Sequence, residues 1–120
     1  MIRNISFVAV IVKDTRKALE WYKDKLGFVV RVDTGGHHVE VYSPGAETAI
    51  HLCDTRDFDF ESDETGICFA VDDIQKTFEE LTSRGVEFTR KPWQEAPGLW
   101  LASFKDLDSN NFISQLQLIC

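Results

Sequence analysis

The sequence predicts an α+β fold of two βαβββ modules in tandem. Three observations point to it. Strand-like and helix-like apolar periods alternate along the chain, the same order of elements occurs twice, and 120 residues suffice for one domain but not two independent ones. A module of one helix and four strands leaves a sheet face it cannot cover alone, so the two are expected to pair around a pseudo-two-fold axis. That pairing would give one domain over 1–120, with a cleft between curved mixed sheets where a small molecule could sit. The expected limits are about 3–54 and 65–119, joined by a connector at about 54–64.

The first element, Ile5 to Val12, is a β-branched apolar run of strand length that stops at Lys13-Asp14. Asp14 can cap the helix that follows, in which Leu19, Tyr22 and Leu26 share a face with Ala18, and Gly27 supplies the stop. Strands are expected at Phe28 to Asp33, at His37 to Tyr42 beyond the Gly35-Gly36 turn, and at Thr48 to Cys53 beyond Pro44-Gly45. Asp54 to Glu64 is acidic and aperiodic, and reads as a solvated connector. The order then repeats. Ile67 to Val71 is a strand, Asp73 to Arg84 a helix with Ile74, Phe78 and Leu81 on one face, and Gly85 its stop. Val86 to Arg90, Leu99 to Phe104 and Phe112 to Ile119 complete the second module. Val12-Lys13-Asp14 corresponds to Val71-Asp72-Asp73, Lys17 and Glu20 to Lys76 and Glu79, and Gly27 to Gly85, an offset of about sixty residues.

Twenty acidic residues against 13 basic give a net charge of −7, which opposes binding to nucleic acid or an anionic membrane. No apolar run reaches the roughly 20 residues of a membrane span, and the start has no signal-peptide pattern, so a cytoplasmic protein is expected. Cys53, Cys68 and Cys120 form an odd set without C-x-x-C spacing, which suits free thiols in a reducing compartment.

Val12-x-Asp14, Trp21-Tyr22-x-x-x-Leu26-Gly27-Phe28, Val71-Asp72-Asp73-Ile74, Arg84-Gly85-Val86 and Phe104-x-Asp106-x-Asp108-x-Asn110 span nearly the whole chain. With these residues the sequence resembles the vicinal oxygen chelate (VOC) superfamily of glyoxalases, bleomycin and fosfomycin resistance proteins and extradiol dioxygenases. The resemblance implies a glyoxalase/bleomycin resistance protein-like fold and a homodimer. It also implies that metal-using members bind one divalent ion through ligands on the first and last strand of each module.

Those positions fall here at Phe7, His51, Gly66 and Ile113. Only His51 can ligate, and a catalytic ion needs about three protein ligands. Gln115 shares a strand face with Ile113, and Glu47 with His51 if Glu47 is already in the strand, so His51, Gln115 and a carboxylate are the remaining way to hold an ion. The expected site is therefore a degenerate one, without a cofactor, that takes a small organic molecule between the modules. Phe7, His51, Gly66, Ile113, Trp93, Trp100 and Gln115 would line it, with Trp93 and Trp100 on a long loop that walls the cleft. The alternative is a metal-dependent lyase, isomerase or dioxygenase with an unusual ligand set, or a metal-free catalyst with His51 as acid or base.

His51 itself reads three ways: residual ligand, polar contact to a bound molecule, or hydrogen-bonded strand residue. At most one of His37 and His38 can face a ligand, and the pair reads as a hairpin edge. Asp106-x-Asp108-x-Asn110 lacks the Gly and terminal Glu of a calcium loop, with Asn111 and Gln117 in their places, and reads as a side-chain-bonded turn. Leu107 and Ser109 stand there where the family usually has Pro and Gly. Asp57-x-Asp59-x-Glu61 fails the calcium test in the same way.

Overall fold

The computed structural model describes residues 1–36, 38–54 and 64–117. The chain divides into two units, Met1–Ser62 and Asp63–Cys120. The first contains β1 (Phe7–Val12), α1 (Thr15–Leu26), β2 (Val29–Asp33), β3 (Val39–Tyr42) and β4 (Ala49–Asp54). The second contains β5 (Glu64–Ala70), α2 (Ile74–Ser83), β6 (Phe88–Ala96), β7 (Leu99–Lys105) and β8 (Asn111–Gln117). Both units are thus βαβββ. Their sheets also share one order, β1-β4-β3-β2 and β5-β8-β7-β6, with the outer pair β1–β4 or β5–β8 parallel and the others antiparallel.

Local chemistry accounts for the helices. The Asp14 carboxylate accepts from Lys17 N at 3.1 Å and the Asp73 carboxylate from Lys76 N at 3.0 Å, so each satisfies an amide that the first helical turn leaves without a partner. α1 ends on Gly27 in the left-handed conformation (φ 71°), and α2 passes through Arg84 in helical conformation to the expected stop at Gly85 (φ 90°), with Val86 N donating back to Leu81 O. Ala18, Leu19 and Tyr22 of α1 are buried together with Val10, Val12, Val41, Ile50 and Leu52, which occupy one face of the first sheet. In the second unit Phe104 stacks near Phe112 (centroids 5.9 Å), Phe69 lies 5.0 Å from Phe112, and Phe88 bridges to Phe78 of α2 at 4.8 Å. Burying one such ring contributes about 1.5–3 kcal/mol.

The turn before β8 is bonded by side chains, as its sequence suggests. Asp106 accepts from the backbone N–H of Asp108 (2.9 Å) and Asn110 (2.8 Å) and from Asn110 Nδ2 (2.9 Å). Ser109 takes φ 65°, so this non-glycine residue sits in the left-handed region that glycine occupies without strain.

One expectation is corrected, and one condition is not met. The sixth strand is not Val86 to Arg90 but runs on to Ala96, so Trp93 lies in β6, Trp100 lies in β7, and only Pro97-Gly98 connects them. The long wall-forming loop is therefore a tight hairpin. Lys91-Pro92 interrupted the apolar alternation in sequence, and the structure absorbs the break as a register shift between Arg90 and Trp93. β4 begins at Ala49, so the condition under which Glu47 would share a strand face with His51 is not met; the Glu47 carboxylate accepts from Asn4 Nδ2 at 3.3 Å. Most of the acidic connector, with Asp57, Asp59 and Glu61, lies outside the described residues, as do His37 and Cys120.

Candidate functional site

The first sheet has two faces of different chemistry. In the β1–β4 ladder Phe7 pairs with Ala49, Ala9 with His51 and Ile11 with Cys53; in the β3–β4 ladder Glu40 pairs with His51. Side chains alternate along a strand, so these residues occupy the face opposite the α1-covered one. Polar and aromatic groups gather there.

His38 reaches this face through the β2–β3 hairpin. Asp33 Oδ1 accepts from the N–H groups of Gly35 (3.0 Å) and Gly36 (3.1 Å), Thr34 N donates to His38 O (3.1 Å), and His38 N donates to Thr34 Oγ1 (2.9 Å). The Arg16 guanidinium, 2.8 Å away, and the two glycine amides hold the Asp33 carboxyl below its usual range. The turn is thereby tied shut. The imidazole of His38 lies against that of His51 with centroids 4.0 Å apart, and Phe7 packs edge-on to both, at 5.5 Å from His38 and 5.2 Å from His51.

Beneath the rings is a bonded ionic chain. His38 Nε2 lies 2.5 Å from Glu40 Oε2, while Arg31 binds Glu40 Oε1 through both Nε (2.8 Å) and Nη2. Arg31 also donates to Glu47 O (2.9 Å) and Ser6 O (3.0 Å). A register shift between Val30 and Val32 makes Arg31 the extra residue of β2, and bulges of this kind re-aim a side chain. The Glu40 side chain is only 7% exposed against 35% for His38, so the carboxylate is the buried base of the site and the imidazole its accessible tip. Burial pushes the Glu40 carboxyl up, but the hydrogen bonds from His38 and Arg31, with the charge of both, outweigh it and hold the group below the ordinary glutamate range.

Cys53 Sγ lies 3.5 Å from His51 Nδ1, a thiol–imidazole pair formed by residues two apart on one strand. Its thiol is 2% exposed, which closes it to a bulky electrophile. As for metal, Phe7 has no donor atom, His51 Nδ1 lies against the Cys53 thiol, and among the described residues no group of three or more His, Cys, Asp or Glu is disposed to hold an ion. The donor set does not fit a catalytic ion.

Of the expected site residues, Phe7 and His51 are brought into contact. Gly66 lies on β5, while Ile113 pairs with Ser103 and Gln115 with Leu101 in the β7–β8 ladder. Trp93 pairs with Leu101, whereas Trp100 is in the alternating row of Ala102 and Phe104, the row buried with α2. The two tryptophans therefore belong to opposite faces of the second sheet. Trp93 is engaged locally, with the Arg90 guanidinium 3.7 Å above its ring and its Nε1 donating to Glu95 at 2.6 Å. His38, which the sequence reads as part of a hairpin edge, meets Glu40 and Arg31, neither of which the sequence singles out; the available signal is His38-x-Glu40, two polar residues at strand spacing on the face of His51.

The sequence model of the Glyoxalase/Bleomycin resistance protein/Dioxygenase superfamily matches residues 4–112. The chain is 34% identical to the uncharacterized protein YetH of Bacillus subtilis (strain 168) over 94% of its own length and 98% of that relative's. A solved member of the superfamily from Sphaerobacter thermophilus DSM 20745 is 31% identical, with a TM-score of 0.87 over 95% of this chain and 97% of the other. TnmS3, an antibiotic binding protein from Streptomyces sp. CB03234, is 27% identical, with a TM-score of 0.84 and 98% of each chain covered.

Proposed function

Because the chain belongs to the Glyoxalase/Bleomycin resistance protein/Dioxygenase superfamily, we propose that it binds a small organic molecule without a catalytic metal, sequestering it as drug-binding members do. The ligand rests on the face of the first sheet that carries Phe7, His38 and His51. One observation carries this reading: where a metal-using member needs converging ligands, Phe7 and the two imidazoles form a cluster of three rings in mutual contact. Rings so arranged offer faces and edges to a flat apolar partner, worth about 0.5–1.5 kcal/mol per aromatic contact beyond area burial. The likeness to an antibiotic binding protein supports the same reading. The acting species in this proposal is a homodimer.

The test is a thermal-shift screen of planar aromatic compounds, with and without EDTA, on purified protein whose metal content has been measured. A ligand at a hundred times its Kd adds about 2.7 kcal/mol of stability. The proposal expects stabilisation that EDTA leaves intact and that Phe7→Ala and His51→Ala weaken. Stoichiometric metal lost in His51→Ala, together with binding abolished by EDTA, would favour the metal-dependent enzyme.

A further inference from the structure

Arg31, Glu40 and His38 form a chain in which each member dictates the hydrogen-bonding role of the next. Arg31 has only donors to offer and directs two of them to Glu40 Oε1, leaving Oε2 for His38. The carboxylate, held ionised by its neighbours, has only acceptor capacity, so in the neutral imidazole the ring hydrogen must sit on Nε2. Nδ1 is then an acceptor, on a side chain 35% exposed at the ring cluster. Among the described residues no hydrogen bond to Nδ1 is made; the titratable groups in contact with the ring are Glu40 and His51.

We infer that Glu40 fixes the tautomer of His38, so that the site selects flat aromatic ligands bearing a hydrogen-bond donor, an N–H or a phenolic O–H, over those of similar shape that offer only an acceptor. His38 is the residue that touches the ligand, and Glu40 and Arg31 are positioning residues. This rests on the proposed ligand site and specifies the chemistry it prefers. A donor completes the Nδ1 lone pair, whereas an acceptor placed there meets another lone pair and loses its water without replacement.

Glu40→Gln makes the inference sharp. Arg31 would keep the amide oxygen at the Oε1 position, so the amide NH₂ would face His38 Nε2 and force the ring hydrogen onto Nδ1. The preference of the site should then reverse. The probes are indole, a donor, and quinoline, an acceptor, titrated into ¹⁵N-histidine-labelled full-length protein at about pH 8, above the ordinary imidazole range. The two-bond ¹⁵N–¹H pattern of His38 reports the tautomer directly.

The expected result is an Nε2–H pattern in the parent with indole bound roughly fivefold or more tightly than quinoline, and an Nδ1–H pattern in Glu40→Gln with the order reversed. His38→Phe, which keeps a ring in place, should bind the two probes alike. An Nδ1–H or doubly protonated ring in the parent would overturn the inference, as would a parent preference that Glu40→Gln and His38→Phe leave unchanged. Equal binding of both probes by the parent overturns the selectivity alone, whereas no binding of either probe removes the ligand site itself.

Discussion

Replacing Arg31 with Met tests whether the ionic chain holds the site together. Met keeps most of the aliphatic stem and removes the guanidinium, so Glu40 loses both bonds to Oε1, the Glu47 carbonyl loses the Arg31 donor, and the Ser6 carbonyl keeps only its bond from Ala49 N. Breaking one partner of a buried ion pair costs about 3–5 kcal/mol. Two features lower that here: the Arg31 side chain is 29% exposed, and His38 still bonds the carboxylate. A cost of about 2–3 kcal/mol follows, which should lower Tm by roughly 10 °C in a chain of this size. Urea unfolding followed by circular dichroism measures it. Arg31→Met/Glu40→Leu, which removes both charges, should recover most of the loss, with a coupling above about 1 kcal/mol in the double-mutant cycle. A single-variant cost under about 0.5 kcal/mol, or a double variant as unstable as the sum of its parts, would refute the reasoning.

Three further outcomes follow from the same geometry. Glu40 titrates lower in the folded chain than its ordinary value near 4.5, so it contributes stability that is present above that value and lost as pH falls through the folded one; Glu40→Gln should flatten this part of the acid limb in unfolding curves taken across it. Ser109→Gly relieves a left-handed residue and should stabilise by about 0.5–1 kcal/mol, read as a rise in Tm; a fall would mean that the serine side chain matters more than its backbone. Asp106→Ala removes the acceptor of three donors at the turn into β8, two of them on Asn110, which is 4% exposed, and should cost about 2–4 kcal/mol in denaturant unfolding.

The fold was legible because its signals are local. Asp14 and Asp73 cap where their spacing says they should, Val10, Val12, Ile50 and Leu52 alternate into a buried face, and the Asp106 turn bonds itself. In β6 the pair Lys91-Pro92 breaks the apolar pattern that marks a strand, and a bulge lets the strand continue past it. The contact of Phe7 with His51 was within reach, since both were placed by counting along strands. The strand spacing of His38 and Glu40 is visible in the sequence, but what joins them to each other and to Arg31 is not. Their meeting depends on a hairpin tied by Asp33, and Arg31 reaches Glu40 from a bulge in the neighbouring strand, which no spacing rule reveals.

Chemical-shift mapping tests the central claim most directly. Titrating indole into ¹⁵N- and ¹³C-labelled protein in EDTA should shift the resonances of Phe7, His38, Glu40 and His51 first and most, with the same Kd when EDTA is left out. Shifts concentrated elsewhere, or binding that disappears with the chelator, would contradict the account of a metal-independent ligand site on this face.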